Sequence, residues 1–152
     1  MLGEPVDLPE VGLRLQPPNG WVWEKYTTKH VFKPKEWVKE PRPTITVQSI
    51  PTGMELDSFM AADFRENIVK YEGCVPKDKN RFVPEDGYDW GYNFWTYIRP
   101  DGLKMSVYRR YYGLHEYVTT VTIEATEKDW ARNESLFKGF LNCVVVLLPE
   151  KR

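Results

Sequence analysis

The last third of the sequence, residues 101–148, most constrains the fold because it combines a β-hairpin with an amphipathic helix. Residues 104–110 and 117–125 alternate apolar and polar side chains, which predicts two antiparallel strands joined by a turn at residues 113–115. Thr126 and Asp129 form a capping-box-like pattern, so a helix is predicted to begin at Thr126 and to continue through Val145, with Pro149 as the stop. No catalytic motif or phosphate-binding loop lies along this segment.

The middle of the chain predicts a helix followed by a strand that is aromatic on both faces. Apolar side chains recur at steps of three and four over residues 57–71, with Asp57 as the expected N-cap and Gly73 as the end. In residues 88–99, Tyr88, Trp90, Tyr92 and Phe94 fall on one face of the strand, and Trp95 and Tyr97 fall on the other. A strand with aromatic residues on both faces is expected to be covered on both sides.

The first half of the chain predicts further strands separated by one charged loop. The predicted strands are residues 11–16, 21–26, 30–33, 44–50 and, later in the chain, 80–84. The Pro-Pro-Asn-Gly turn at residues 17–20 is expected to join the first two strands as a pair. Residues 35–43 hold five charges and two prolines around Trp37, which predicts an exposed loop.

Composition limits the classes of protein to which this chain can belong. At 152 residues it has the size of one domain, and its 14% aromatic content, with six Trp, favours a sheet-rich core. A net charge of −1 does not supply the basic field that sequence-independent nucleic-acid binding requires. No apolar run reaches the roughly 20 residues of a membrane span. We expect a cytoplasmic protein if Met1 is native, or a periplasmic protein or membrane-anchored lipoprotein if a leader was removed.

Residues that could carry chemistry are few and scattered. Cys74 and Cys143 lack metal-ligand spacing, and a disulfide between them would need their Cα atoms about 6 Å apart. His30 and His115 are distant in sequence, and we interpret His115 as a solvated turn residue. The acidic residues within 85–89 are interpreted as a solvated loop. We therefore predict no catalytic residue, no metal site and no cofactor.

The order of these elements resembles the PsbP-like superfamily. The resemblance rests on residues 12–17 with 20–21, 56–59, 101–102 and 117–122, and on Trp130 with residues 136–137. This superfamily includes the photosystem II protein PsbP, the DcrB-like bacterial proteins and a Ran-binding nuclear transport factor. It implies one α+β domain over residues 1–152, an α/β/α sandwich in which an antiparallel sheet of about six strands is flanked by helices on both faces. That layering agrees with the doubly aromatic strand.

The same resemblance implies a non-enzymatic protein-binding or chaperone-like function. One DcrB-like branch is encoded beside type VI secretion effectors and chaperones their hydrophobic N-terminal helices, whereas other branches are exported lipoproteins. The photosystem branch can bind divalent cations, but no His/carboxylate cluster here aligns with such a site. Two alternatives stay open, namely an enzyme or small-molecule carrier with a closed aromatic pocket, and an exported lipoprotein of unknown role.

The predicted partner-binding surface is an aromatic and aliphatic groove. The candidate contact residues are Trp37, Trp95, Tyr97, Tyr108, Arg109 and Arg110. Trp37 leads because no strand or helix periodicity buries it, although the loop could also fold back and place its ring on the sheet. Adjacent strand residues face opposite ways, so at most one of Arg109 and Arg110 can enter the groove and fix a partner's register. The alternative for these arginines is a cross-strand salt bridge. A protein partner is expected, and a homodimer could form through a wide sheet face.

Overall fold

The computed structural model describes residues 1–85 and 87–147, and this part of the chain contains ten strands and two α-helices. The strands are β1 (Val6–Leu8), β2 (Leu13–Leu15), β3 (Trp21–Lys25), β4 (His30–Pro34), β5 (Thr44–Pro51), β6 (Val75–Pro84), β7 (Asp89–Ile98), β8 (Lys104–Leu114), β9 (Tyr117–Thr126) and β10 (Val145–Val146). The helices are α1 (Leu56–Asp63), which continues into a π-helical segment (Phe64–Ile68), and α2 (Glu127–Asn142). Seven strands form one antiparallel sheet in the order β3-β4-β5-β9-β8-β7-β6, and β1-β2-β10 form a smaller sheet.

Strand β8 lies near the middle of the large sheet and contributes to the packing on both of its faces. Tyr111 packs with residues of α1, whereas Tyr108 and Tyr112 belong to the larger core that includes Phe137 of α2. The predicted α+β architecture is therefore confirmed, with one helix on each face of an antiparallel sheet. The large sheet has seven strands, where about six were expected.

Helix α2 begins as predicted but ends earlier. The Asp129 backbone N–H donates to the Thr126 hydroxyl at 3.1 Å, which satisfies one of the free donors at the helix start. The helix ends at Asn142, and Val145–Val146 leaves the helix to pair with β2 as strand β10. The predicted continuation through Val145 is wrong because the open edge of β2 offers backbone partners there. The expected stop at Pro149 lies outside the described residues.

Helix α1 also differs from its predicted form over residues 57–71. It begins after Glu55, which makes no side-chain cap, and the expected N-cap Asp57 instead lies inside the helix. After Asp63 the chain widens into a π-helical turn, in which the Val69 N–H donates to the Phe64 carbonyl at 3.1 Å. The helical run ends at Ile68, before the predicted end at residue 71, and Ile68 is fully buried against the sheet.

The predicted pairing of residues 11–16 with residues 21–26 is wrong. Strand β2 pairs with β1 and β10, whereas β3 pairs with β4 in the large sheet. The Trp21 N–H donates to the Pro18 carbonyl at 3.2 Å, and Gly20 has a φ of +84°, so the chain turns sharply between the two sheets. The Thr119 hydroxyl donates to the Val11 carbonyl at 2.6 Å and anchors the small sheet to β9. Two further differences are strand β1, which was not predicted, and β6, which extends well beyond residues 80–84.

The helices are offset, and each face of the large sheet has a part that its helix does not cover. Helix α1 lies chiefly over β6, β7 and β8, whereas α2 lies chiefly over β8 and β9 on the opposite face. On the α1 face, β5 and β9 present partly exposed polar side chains, including Thr46 and Thr122. On the α2 face, β7 presents partly exposed aromatic rings, including Trp90 and Tyr92. Candidate surfaces therefore exist on both sides of the sheet.

Gly91 of β7 is expected to be essential for the packing of α1. A Cβ at this position would lie 2.6 Å from Met60 Sδ and would also meet the backbone carbonyl of Arg81. The backbone of β6 cannot give way without losing its ladder, so Gly91→Ala should lower the free energy of unfolding by about 1–3 kcal/mol, measured by urea denaturation. The control is Gly139→Ala in α2, where no atom lies within 4 Å; it should be neutral or stabilise by up to about 1 kcal/mol. If Gly91→Ala and Gly139→Ala changed the free energy of unfolding equally, tight packing at Gly91 would be contradicted.

Candidate functional site

The six predicted contact residues do not form a single groove. Trp37 lies beside α2, at the end of the large sheet where β5 begins. Trp95, Tyr97 and Arg109 lie on the α1 face, and Tyr108 and Arg110 lie on the α2 face. The expectation that Arg109 and Arg110 point to opposite faces is confirmed.

Arg42 holds the loop of residues 35–43 in a fixed shape. Its Nη1 donates to the Pro34 carbonyl at 2.9 Å, and its Nε donates to Glu40 Oε1 at 2.8 Å. Its backbone N–H donates to Glu40 Oε2 at 2.9 Å, and these hydrogen bonds lower the pKa of the Glu40 carboxyl. Val38 lies at the tip of this fixed loop with a relative exposure of 105%, so its side chain makes almost no contact with the rest of the protein. The loop therefore presents an apolar side chain without needing to be ordered first.

Trp37 is half-buried and lines a groove between this loop and α2. We call this surface the Trp37 groove; it has a volume of about 680 Å³ and is lined by Glu36, Trp37, Val38, Lys39, Asp129, Arg132 and Asn133. A neighbouring depression of about 290 Å³ shares Lys39, Asp129 and Arg132 with it and extends it toward the start of α2. The groove is thus open, elongated and parallel to the first half of the helix.

A kink in α2 lies in the wall of the Trp37 groove. Asn133 has non-helical dihedral angles, φ −116° and ψ 15°, and its side-chain amide donates to the Asp129 carbonyl at 2.9 Å. Such back-bonding by a short polar side chain competes with the helical hydrogen-bond ladder and bends a helix.

Trp37 was predicted as a contact residue, but Val38, Arg42 and Asn133 were not. Their roles depend on the fixed loop and on the kink, which sequence periodicity does not reveal.

Arg109 is held in a hydrogen-bonded network on the α1 face. Its Nη1 donates to Asp63 Oδ2 at 2.9 Å, and the Tyr111 hydroxyl donates to the same oxygen. Its Nε donates to the Thr122 hydroxyl at 3.0 Å, and its guanidinium lies 5.4 Å from the centre of the Trp95 ring. The salt bridge expected for this residue exists, but its carboxylate comes from the end of α1 and not from a neighbouring strand. Arg109 is therefore a packing residue that ties the helix to the sheet.

Trp95 and Tyr97 lie behind and beside that network. Trp95 is 1% exposed, so the structure corrects its assignment as a contact residue and places it in the core. The ring centres of Tyr97 and Tyr71 are 4.5 Å apart. Burial and the hydrogen bond between Tyr97 and Glu124 raise the pKa of the Tyr97 hydroxyl well above its usual range. Tyr97 is partly exposed, but it faces the polar side of the sheet rather than an apolar groove.

Tyr108 and Arg110 lie within a ladder of aromatic rings on the α2 face. The guanidinium of Arg110 lies 4.4 Å from the centre of the Trp90 ring, and its Nη2 donates to the Tyr108 hydroxyl at 2.9 Å. Tyr92 stacks on Tyr108 with ring centres 5.2 Å apart. Arg110 Nη1 also donates to the Leu141 carbonyl at 3.4 Å, near the end of α2. Arg110 is thus bound internally, and Tyr108, at 9% exposure, is a core residue and not a contact residue.

The histidines and cysteines do not converge on a reactive centre in the described part of the chain. His30 is buried; its Nδ1 accepts from Trp23 Nε1 at 3.1 Å, and its Nε2 lies 2.7 Å from Glu10 Oε1. His115 lies in an open cleft next to Glu116, and its side chain is 91% exposed. Both cysteines are free thiols. Among residues 1–85 and 87–147, no group of three or more His, Cys, Asp or Glu is placed to hold a metal ion.

The acidic cluster predicted within residues 85–89 is incompletely described, because Asp86 lies outside the described residues.

None of the helices in the described part of the chain has the length and apolarity that crossing a bilayer requires.

Comparison with solved structures identifies the fold. No protein-family model matches this sequence, and no curated protein matches it. Cyanobacterial PsbP (CyanoP) from Synechocystis superimposes with a TM-score of 0.67 at 15% identity, covering 94% of this chain and 91% of that one. LpqN, involved in cell envelope biogenesis of Mycobacterium tuberculosis, gives a TM-score of 0.69 at 11% identity, covering 97% and 86%.

A third structure extends the comparison to a eukaryotic protein. The Saccharomyces cerevisiae Ran-binding protein Mog1p gives a TM-score of 0.61 at 14% identity, with 95% of each chain covered. The class is therefore an α+β protein with a helix on each face of an antiparallel sheet. Within that class this chain has the PsbP-like fold shared with Mog1p, as its sequence resemblance predicted. Identities this low establish the fold alone.

Burial of the Glu124 carboxyl in β9 should make the free energy of unfolding fall as the pH rises. Burial raises the pKa of its carboxyl, and the Tyr97 hydrogen bond and Arg99 and Arg109 only partly oppose this. Because the folded-state pKa lies above the unfolded value near 4.5, the folded protein binds the proton more tightly. The stability that comes from protonated Glu124 is fully present below the pKa of the unfolded state. It is lost as the pH rises through the pKa of the folded state. Glu124→Gln, which keeps an acceptor for the Tyr97 hydroxyl, should therefore gain stability relative to the wild type as the pH rises.

The measurement is the difference in Tm between wild type and Glu124→Gln at pH 4 and at pH 7. Glu116→Gln, which removes one negative charge from a carboxylate that is 83% exposed, controls for net charge. A difference in Tm that is the same at both pH values would show that the Glu124 carboxyl is not penalised by burial.

Proposed function

We propose that this protein is a non-enzymatic, chaperone-like protein-binding module that docks a partner segment in the Trp37 groove. The observation that carries the proposal is the complete exposure of Val38 at the tip of a loop that Arg42 holds fixed. A fixed loop does not have to be ordered when a partner binds, which removes one of the main costs of association. The neighbouring Trp37 is half-buried, and tryptophan is among the residue types most enriched at the energetic centre of protein interfaces.

The chemistry of the Trp37 groove favours an amphipathic segment. Its apolar lining comes from Trp37 and Val38, and its charged lining includes acidic Asp129 together with basic Lys39 and Arg132. An apolar centre inside a charged rim is the usual arrangement of a protein–protein interface. We propose that the basic rim residues fix the register of the partner, because Arg109 and Arg110, first expected in that role, are bound inside the protein.

The proposed occupant is a hydrophobic or amphipathic helix of another protein. The groove runs beside the first half of α2, so a partner helix could lie along it and insert apolar side chains between Trp37 and α2. The DcrB-like resemblance suggests the same kind of partner, as in the chaperoning of type VI secretion effectors. Mog1p, which has the same fold, is a Ran-binding protein, and this supports a protein-binding use of the fold.

Binding is favoured over catalysis by the state of the two histidines. Both ring nitrogens of His30 are engaged by Trp23 and Glu10, so neither is free to act on a substrate. His115 is exposed to solvent in an open cleft, where a general base would lack the water-excluded site that tunes its reactivity.

A second candidate is an exported lipoprotein of the same fold. The similarity to LpqN, which is involved in cell envelope biogenesis, favours it. It is tested by whether the native gene encodes a leader with a lipid-attachment cysteine. This candidate concerns location, so it is compatible with a partner-binding Trp37 groove.

Val38→Asp should abolish partner binding without affecting the fold. The side chain is fully exposed, so the folded protein should tolerate the charge, whereas burying that charge in an apolar interface is strongly unfavourable. A partner would first be captured on wild-type protein and purified, and its Kd would then be measured by calorimetry. We expect at least tenfold weaker binding for Val38→Asp and for Trp37→Ala, and unchanged binding for Val75→Asp, a matched change at a half-exposed valine of β6. Equal affinities for Val38→Asp and Val75→Asp would rule out the Trp37 groove as the docking site.

A further inference from the structure

A second groove, unrelated to Trp37, lies on the open half of the α1 face. It has a volume of about 490 Å³, with β5 and β9 as its floor and the end of α1 with the π-helical segment as its wall. The floor carries Thr44, Thr46, Gln48 and Thr122 together with the Glu124 carboxyl, and the wall carries Asn67 and Tyr71. We call it the threonine groove. In contrast to the Trp37 groove, it is lined mainly by groups that form hydrogen bonds.

The floor is a fixed array of hydrogen-bonding groups. In the β5–β9 ladder, Thr46 lies directly opposite Thr122, and Gln48 lies directly opposite Thr120. Residues opposite each other in an antiparallel pair point to the same face about 5 Å apart, and alternate residues along a strand are separated by roughly 7 Å. The hydroxyls and the amide are therefore presented at regular spacings by backbone that is paired on both sides.

The wall is pre-organised and carries no uncompensated charge. Arg109 is fixed by its bonds to Asp63 and Thr122, and among the described residues its Nη2 donates to no protein acceptor. The Asn67 amide donates to Asp63 Oδ1 at 3.0 Å, which leaves its own carbonyl oxygen available to a ligand. Arg109 and Asp63 neutralise each other, and the other carboxyl of the groove, Glu124, is already hydrogen-bonded to Tyr97, so each charged group of the groove has a partner within the protein.

Tyr71 supplies an aromatic surface at the rim. It is 37% exposed, and its ring is supported by Tyr97 and Trp95, whose ring centres lie 4.5 Å and 6.1 Å from its own. An exposed aromatic ring that is braced from behind can stack on an apolar face of a ligand at little cost in side-chain freedom.

We propose that the threonine groove binds a neutral, hydroxyl-rich ligand, namely a sugar or a short glycan. An apolar ligand would leave the hydroxyls, the amides and the guanidinium unpaired, which is costly. An anion would have to take Arg109 from Asp63 in the presence of the Glu124 carboxyl, and a cation would have to take Asp63 from Arg109 or Glu124 from Tyr97. A sugar meets none of these penalties, because its hydroxyls both donate and accept while its C–H face stacks on Tyr71.

The test is a titration of ¹⁵N-labelled protein with glucose, mannose, N-acetylglucosamine, maltose and cellobiose, followed by two-dimensional NMR. We expect at least one sugar to give saturable shifts at backbone amides of β5 and β9. Tyr71→Ala should weaken that binding at least tenfold. The matched control is Tyr26→Ala, which removes a tyrosine that is 49% exposed after β3 and should leave the affinity unchanged.

A second variant removes a hydrogen bond while keeping the shape of the floor. Thr46→Val is nearly isosteric and suits a strand, and the NMR spectrum itself reports whether the variant folds. It should weaken binding several-fold. The proposal is overturned if none of the five sugars gives saturable shifts with the wild type, or if the shifts are insensitive to both Tyr71→Ala and Thr46→Val. Because the two grooves share no residue, either result leaves the proposed protein-binding function untouched.

Discussion

The structure depends on two adjacent arginines of β8 that are bound on opposite faces of the sheet. Arg109 is fixed by Asp63 at the end of α1, and Arg110 is fixed by the Tyr108 hydroxyl and by the Leu141 carbonyl near the end of α2. Removing a guanidinium from water is costly unless it is paired and hydrogen-bonded, so these bonds favour the observed positions of both helices. The alternation of side chains along one strand thus sets the places of both helices.

Coverage of the sheet follows from simple dimensions. Seven strands at about 4.8 Å spacing make a sheet roughly 30 Å wide, whereas a helix is about 10 Å across and covers about two strands. On the α2 face the small sheet adds cover, with Leu8, Leu13 and Leu15 in the main core. On the α1 face there is no corresponding layer in the described part of the chain, and Thr46 and Thr122 of the open strands are polar, as a water-facing half of an antiparallel sheet requires.

Some local features followed correctly from local signals in the sequence, although the expected N-cap Asp57 did not. The two faces of β7 and the start of α2 at Thr126 follow from side-chain alternation and from capping chemistry, which act within a few residues. The end of α2 was not predictable in this way, because Val145 fits an apolar helix equally well and leaves it only when β2 offers an open edge. The internal role of Arg109 was also hidden, since Asp63 is 46 residues away and the contact depends on sheet register and on the π-helical turn.

The candidate site was partly visible for a related reason. Trp37 stood out because no periodicity buried it, but the sequence could not show whether its loop collapses onto the sheet. Trp37 is half-buried, but Val38 is fully exposed, although burying a side chain of this kind is favourable by about 1.5–3 kcal/mol. Arg42 prevents this by bonding to Glu40 and to the Pro34 carbonyl across the base of the loop, which fixes the tip away from the sheet. The exposure of Val38 therefore goes together with specific polar bonds at the base of its loop.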